Sequence, residues 1–153
     1  MRRTCLVVVG SVVALVLAAC GSERTSQRVG ERDAAALLID RNWLDRWPTD
    51  KDDHLEVYRF VPSMGGGVYQ DRTMFEGRFE LFQFRADGRA IDFTFPHTGQ
   101  RHHTGYRIER VTGPAPFDLA LRLDHDPRGP GIYYGLSSDR GLVDVEQLVR
   151  ARR

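Results

Sequence analysis

Apolar residues fall into three regimes along this 153-residue chain. From Cys5 to Ala19 they run almost unbroken, interrupted only by Gly10 and Ser11. From Gly21 to Arg32 the chain is polar, with Val29 the apolar exception, and this composition reads as a flexible tether. From Asp33 to Arg153 short apolar stretches recur at roughly 8 to 12 residue spacing, with turn residues between them, as in a chain of many short strands. This last part is long enough for one globular domain with a sizeable core. No internal repeat and no second linker is present.

The clearest strand signal lies in the middle of the domain. Two aromatic-rich runs, Phe79 to Ala86 and Arg89 to Phe95, flank Asp87-Gly88, the preferred pair for a two-residue type I′ turn. That turn sets Phe84 opposite Ile91, Phe82 opposite Phe93 and Glu80 opposite Phe95. A second hairpin through Pro96-His97-Thr98-Gly99-Gln100, with an even-length loop, sets Ile91 opposite Tyr106 and Phe95 opposite His102. One face then collects Phe82, Phe84, Ile91, Phe93, Phe95 and Tyr106, while Asp92, Thr94, His103 and Arg107 point the other way. A slip of one residue would mix the two sets, so the facing is strongly specified.

Other stretches extend the pattern. Leu55 to Val61 is strand-like, and Asp118 to Asp124 alternates cleanly, with Leu119, Leu121 and Leu123 on one face. Ile132 to Leu136 is another strand, entered through the turn-rich Asp126-Pro127-Arg128-Gly129-Pro130-Gly131. The fold class is all-β, a small antiparallel meander barrel or sandwich with helix only at its ends. Leu142, Val145, Leu148 and Val149 have helical spacing and predict a short C-terminal helix. Near the other end two readings stand. Asp33 caps a helix running from Ala34 toward Trp47, with Ile39, Trp43 and Trp47 on one face, or Leu37 to Trp43 is the first strand.

The apolar run before Cys20 is preceded by Arg2 and Arg3 and ends in small residues, the three parts of a secretory signal. At about 15 residues it is short of the roughly 20 that a membrane-spanning helix needs. Its end, Leu17-Ala18-Ala19-Cys20, resembles the lipobox of bacterial lipoproteins. The resemblance implies that residues 1–19 are removed and that Cys20 becomes the lipid-bearing first residue. Residues 20–32 would be the lipidated tether and residues 33–153 the domain. The protein would then sit in the cell envelope, bound to the membrane through lipid on Cys20. Several acyl chains hold a protein where one would not, since each buried CH₂ contributes about 0.8 kcal/mol. The family's inner-membrane retention signal is an Asp after the cysteine; Gly21 stands there, so an outer membrane is expected if the organism has one.

Cysteine and charge narrow the picture. Cys5, the one other cysteine, lies inside the signal, so the processed domain has no free thiol and no disulfide. Losing Arg2 and Arg3 takes the basic residues from 22 to 20 against 21 acidic ones, a formal charge of −1. With no basic block, nucleic acid is not expected as a partner.

An early strand bearing a tryptophan, Trp43, followed by a meander of short antiparallel strands, resembles the lipocalin-like, or calycin, barrels. Arg41-Asn42-Trp43 lacks the glycine of that family's first-strand Gly-x-Trp motif, and the chain has no match to its later Thr-Asp-Tyr motif. The resemblance implies a barrel whose apolar interior, bounded by Trp43, Phe82, Phe84, Phe93 and Tyr106, receives a small hydrophobic ligand. Alternatively these rings simply fill the core, the commoner arrangement in small closed barrels.

Signals for chemistry are sparse. Pro62-Ser63-Met64-Gly65-Gly66-Gly67 lacks the Gly-Lys-Ser/Thr ending of a phosphate-cradling loop and reads as a turn between strands. His97, His102 and His103 cluster near one hairpin, yet His102 and His103 are adjacent on a strand and point to opposite faces, so no metal site is expected. Asp50, Asp52 and Asp53 lack the Gly and Glu of a calcium loop, since Leu55 and Val61 stand at those positions. No nucleophile elbow occurs. The expected protein is a noncatalytic, cofactor-free envelope lipoprotein whose domain binds a small apolar ligand or a protein partner. The alternatives are a structural envelope component, or a hydrolase or metal-dependent enzyme working through Glu80, Asp92, His97 or His102.

Overall fold

A computed structural model describes residues 26–138; the expected signal, Cys20 and the helix expected around Leu142 to Val149 lie outside the described residues. The elements run β1 (Gln27–Arg28), α1 (Glu31–Leu38), β2 (Asn42–Leu44), β3 (Leu55–Val61), a 3-10 turn (Pro62–Met64), β4 (Gly66–Arg72), β5 (Gly77–Ala86), β6 (Ala90–Phe95), β7 (Gln100–Arg110), β8 (Leu119–Leu123) and β9 (Ile132–Gly135). Each strand from β2 to β9 pairs antiparallel with the next, and β9 pairs back onto β2. The result is a closed eight-stranded up-and-down barrel, the lipocalin-like architecture that the strand pattern predicts. Closure leaves these eight strands without a free edge.

Two long strands bend the sheet into a ring. Gly77 to Phe82 of β5 pair with β4, and Gln83 to Ala86 of the same strand pair with β6. In β7, Gln100 to Gly105 pair with β6; Glu109 and Arg110 lie between β8 and the short β1. Thus Gln27–Arg28, inside the stretch read as tether, belong to the sheet. Ser26 is tied down too: its hydroxyl donates to Glu109 at 3.0 Å.

The face assignment survives, but both hairpin registers differ from those expected. Ala86 pairs with Ile91 and Phe84 with Phe93, because Asp87 Oδ1 accepts the Arg89 and Ala90 amides, each at 2.9 Å, and holds a wider turn than Asp-Gly alone would make. Gly88, at φ +92°, sits against the Glu31 backbone of α1, leaving no room for a side chain. In the next hairpin Phe95 pairs with Gln100 and Ile91 with Thr104. There Gly99, at φ +71°, lets its own amide and that of Thr98 reach the Phe95 carbonyl, so the turn is tighter than expected. Each register moves by two residues, an even step, so every side chain keeps its face.

The N-terminal segment combines parts of both readings. Ala34 to Leu38 are good helix formers, and Glu31 and Asp33 in the first turn suit the helix dipole. The helix starts earlier than Ala34 and stops at Leu38. Ile39 is extended and Asp40 turns left-handed at φ +56°, giving its amide to Phe60 O at 2.8 Å. Trp43 then enters β2 opposite Tyr58. This splits the two tryptophans, which a continuous helix would have aligned. Trp43 is fully buried inside the barrel, whereas Trp47 packs outside it, against Phe117 at 5.5 Å between ring centroids. That outer cluster, with Leu44, Leu55 and Val57, covers the far face of β2 and β3.

The glycine-rich stretch between β3 and β4 is only partly a turn. Gly65 is left-handed at φ +76°, but Gly66 and Gly67 already belong to β4. A Cβ at Gly66 would collide with the Phe82 carbonyl oxygen, and one at Gly67 with the Phe82 ring and the Arg59 carbonyl oxygen. Close strand approach, not phosphate binding, accounts for these glycines.

Candidate functional site

The five residues expected to bound a pocket lie in one core cluster. Trp43, Phe82, Phe93 and Tyr106 are buried, at 0 to 3% exposure, and Phe84 is half-buried at the edge of the cluster. Phe82 meets Phe93 at 5.2 Å and Phe84 at 6.1 Å between ring centroids. The ring at the centre is Tyr58, which sequence reading left out of the set. It contacts Phe60, Tyr69, Phe82, Phe93 and Tyr133, all at 4.9 to 5.9 Å. Four of these contacts are edge or tilted, a favourable geometry for aromatic packing, and the fifth, with Phe60, is stacked. At the α1 end, Trp43 Nε1 donates to Leu38 O at 3.0 Å, and burial pushes the Tyr106 hydroxyl up to about 12.

At the other end the Asp124 to Gly131 loop between β8 and β9 brings a polar cluster over the rings. Asp126 accepts the Tyr58 hydroxyl at 2.9 Å, the Tyr133 hydroxyl at 2.5 Å, and the Arg128 and Gly131 amides at 2.9 and 3.1 Å. Burial, reinforced by the negative Asp126, raises both tyrosines far above the ordinary phenol range, so they act as neutral donors. Arg128 lies over the Phe95 ring at 4.1 Å and bonds Glu80 through two nitrogens, at 2.6 and 3.1 Å. The bonds from Arg128 hold the Glu80 carboxyl below its usual value despite partial burial. Gln100 Oε1 completes the guanidinium's contacts at 3.1 Å. Glu56 projects into the same end with a buried, unpartnered Oε2, and burial raises its carboxyl, with Asp45, Asp126 and Asp71 adding to the effect.

The remaining candidates are dispersed. His102 Nε2 meets the His125 carbonyl oxygen at 2.7 Å on the inner side, while His103 Nδ1 meets Asp92 at 2.7 Å on the outer side. The opposite facing expected of these neighbours is what the strand produces. Glu80 is engaged by Arg128, so Glu80, Asp92 and His102 have three separate sets of partners. Asp53 Oδ2 accepts the Thr49 and Asp50 amides and the Thr49 hydroxyl, at 2.7 to 2.9 Å, and these bonds, the Asp50 amide first, lower its carboxyl. The aspartate run is therefore a self-bonded surface loop. Among the described residues no group of three His, Cys, Asp or Glu side chains converges as a metal site would require.

Sequence reading found the inward aromatic stripe but missed Tyr58, Asp126 and Arg128. Their signal was present only as turn composition at Asp126 to Gly131 and as alternation in β3. What stands opposite a loop is a tertiary fact. No family model matches this chain, and neither a curated protein nor a solved structure is significantly similar to it.

Proposed function

We propose that this protein is a cell-envelope lipoprotein, held to the membrane by lipid on Cys20, whose noncatalytic barrel is a solid scaffold that binds on its outer surface. The observation that carries the second half is the interior. The rings around Tyr58 interlock, α1 covers one end, and the Asp126–Arg128 cluster covers the other. Fully burying each large apolar side chain contributes about 1.5 to 3 kcal/mol, and opening the barrel for a guest would forfeit several such terms. The outer surface, by contrast, carries large apolar side chains that stay mostly exposed, Phe75, Phe79 and Leu81 among them. A role as a purely structural envelope component uses the same scaffold without a partner.

The anchor is tested with the full chain and its Cys20→Ala variant, expressed with labelled palmitate and fractionated. The parent is expected to carry label and sediment with membranes, the variant to carry none. Labelling of the variant would remove Cys20 as the attachment point.

A further inference from the structure

The outer face of β6 is the floor of an open trough of about 740 Å³. Strand order and side-chain length explain it. β6 points short residues outward, Asp92 and Thr94, while its neighbours point out longer ones, Gln83 and Arg85 from β5 and Arg101 and His103 from β7. Pairing sets these in two rows, Arg85 with Asp92 and His103, then Gln83 with Thr94 and Arg101. Asp92 holds His103, but Arg85 and Arg101 have no hydrogen-bond or ion-pair partner among the described residues. Two unpaired guanidiniums on opposite walls of a polar floor suit the oxygens of a phosphate, which arginine engages through paired N–H donors.

The β5 wall continues as an apolar stripe. Leu81 and Phe79 project from the outer face of the same strand at 59 and 73% exposure, and Phe75 follows in the turn before it at 68%. Met64, 80% exposed, stands next to Gly65, which closes one end of the trough. A phosphate site bordered by bare apolar side chains matches the layering of a bilayer interface, headgroup beside hydrocarbon; a soluble anion would leave the stripe uncovered. The tether limits how far away the bilayer can lie: the described chain begins at Ser26, beside Glu109 at the end of β7 away from Arg101, and the stretch from Cys20 to Ser26 spans at most about 20 Å, so a bilayer holding lipid on Cys20 stays within that distance of this end of β7.

We propose that this side of the barrel docks on the bilayer that carries the anchor. Arg85 and Arg101 take phosphate oxygens of lipid headgroups, and Met64, Leu81, Phe79 and Phe75 enter the interface. This rests on the lipid-anchor reading, and one experiment separates the two. The full chain with Phe79→Trp is reconstituted into phosphatidylcholine vesicles containing phosphatidylglycerol and brominated lipid. Tryptophan emission is compared with that of the parent, whose Trp43 is fully buried and whose half-buried Trp47 sets the background quenching. Bromolipid is expected to quench the variant at least about twofold more than the parent, and adding Arg85→Glu with Arg101→Glu should remove most of the excess while the protein stays on the vesicles. Vesicle-bound protein without excess quenching would overturn docking and leave the anchor standing. Quenching of protein that carries no lipid would retain docking and overturn the anchor; unlipidated, unquenched protein would overturn both. Persistence of quenching in the double glutamate variant would overturn the headgroup contacts. Protection of Arg85 from phenylglyoxal by inorganic phosphate but not by vesicles would assign the trough to a soluble anion, and dimers in place of vesicle contact would assign the stripe to a second copy.

Discussion

Glu56 shows how much one side chain owes to its surroundings. In the sequence it is an unremarkable polar position between Leu55 and Val57 of a strand. In the barrel its carboxylate meets burial and three other acidic residues, and one oxygen lacks a partner. Its carboxyl is therefore raised above the ordinary 4.5, which makes ionisation a penalty on the folded state. The penalty is absent below about pH 4.5, where the group is protonated folded or unfolded, and grows as pH rises through the folded value. Replacing it with the neutral isostere in Glu56→Gln is expected to raise the urea midpoint at pH 7, with the gain vanishing near pH 4. A variant less stable than the parent at pH 7 would mean that the carboxylate has a favourable partner. Glu80 has the opposite sign. Arg128 lowers its carboxyl, so its contribution is present above pH 4.5 and fades as pH falls.

At the scale of elements, turns and crossings decide more than strands do. The run Gly65-Gly66-Gly67 reads as flexibility, yet only Gly65 needs a left-handed backbone; its neighbours are glycine because Phe82 and the Arg59 carbonyl leave no space. Gly67→Ala should therefore destabilise the fold by about 1 to 3 kcal/mol, the usual cost of overpacking, as read by urea unfolding. Gly30 is the converse case. It stands at the N-cap of α1 in extended conformation, makes no side-chain cap, and has nothing within 4 Å of a Cβ. Gly30→Ser should stabilise by a few tenths of a kcal/mol, roughly the gain from a hydroxyl that caps the first turn. Loss of stability there, or no effect of Gly67→Ala, would refute this account of the two sites. Alternation correctly assigned the faces of β5, β6 and β7, since a strand with one buried face cannot slip by one residue. It could not assign the register, because Asp87 and Gly99 reset both turns by even steps that leave the pattern unchanged.

For the whole molecule the proposed reading is a barrel filled by its own rings around Tyr58. A fluorescent fatty acid titrated into the protein should show no saturable one-to-one binding, and Tyr58→Ala, by opening a cavity at the hub of the rings, should create or strengthen such binding while costing about 3 to 5 kcal/mol of stability. Stoichiometric binding by the parent would instead make the interior the working site. The all-β class, the inward stripe from Phe82 to Tyr106, the opposite facing of His102 and His103, and the expectation of an export signal ending at Cys20 were legible in the chain alone. All of these follow from periodicity and short motifs, which need no knowledge of distant contacts. Folding settled the rest: that the helix stops at Leu38, that Trp43 and Trp47 part company, and that Asp126 and Arg128 close one end over Tyr58 and Glu80. It also decided that Arg85 and Arg101 stand diagonally on either side of β6. These depend on residues far apart in the chain meeting across the barrel, and spacing along the chain carries no information about which loop folds over which end.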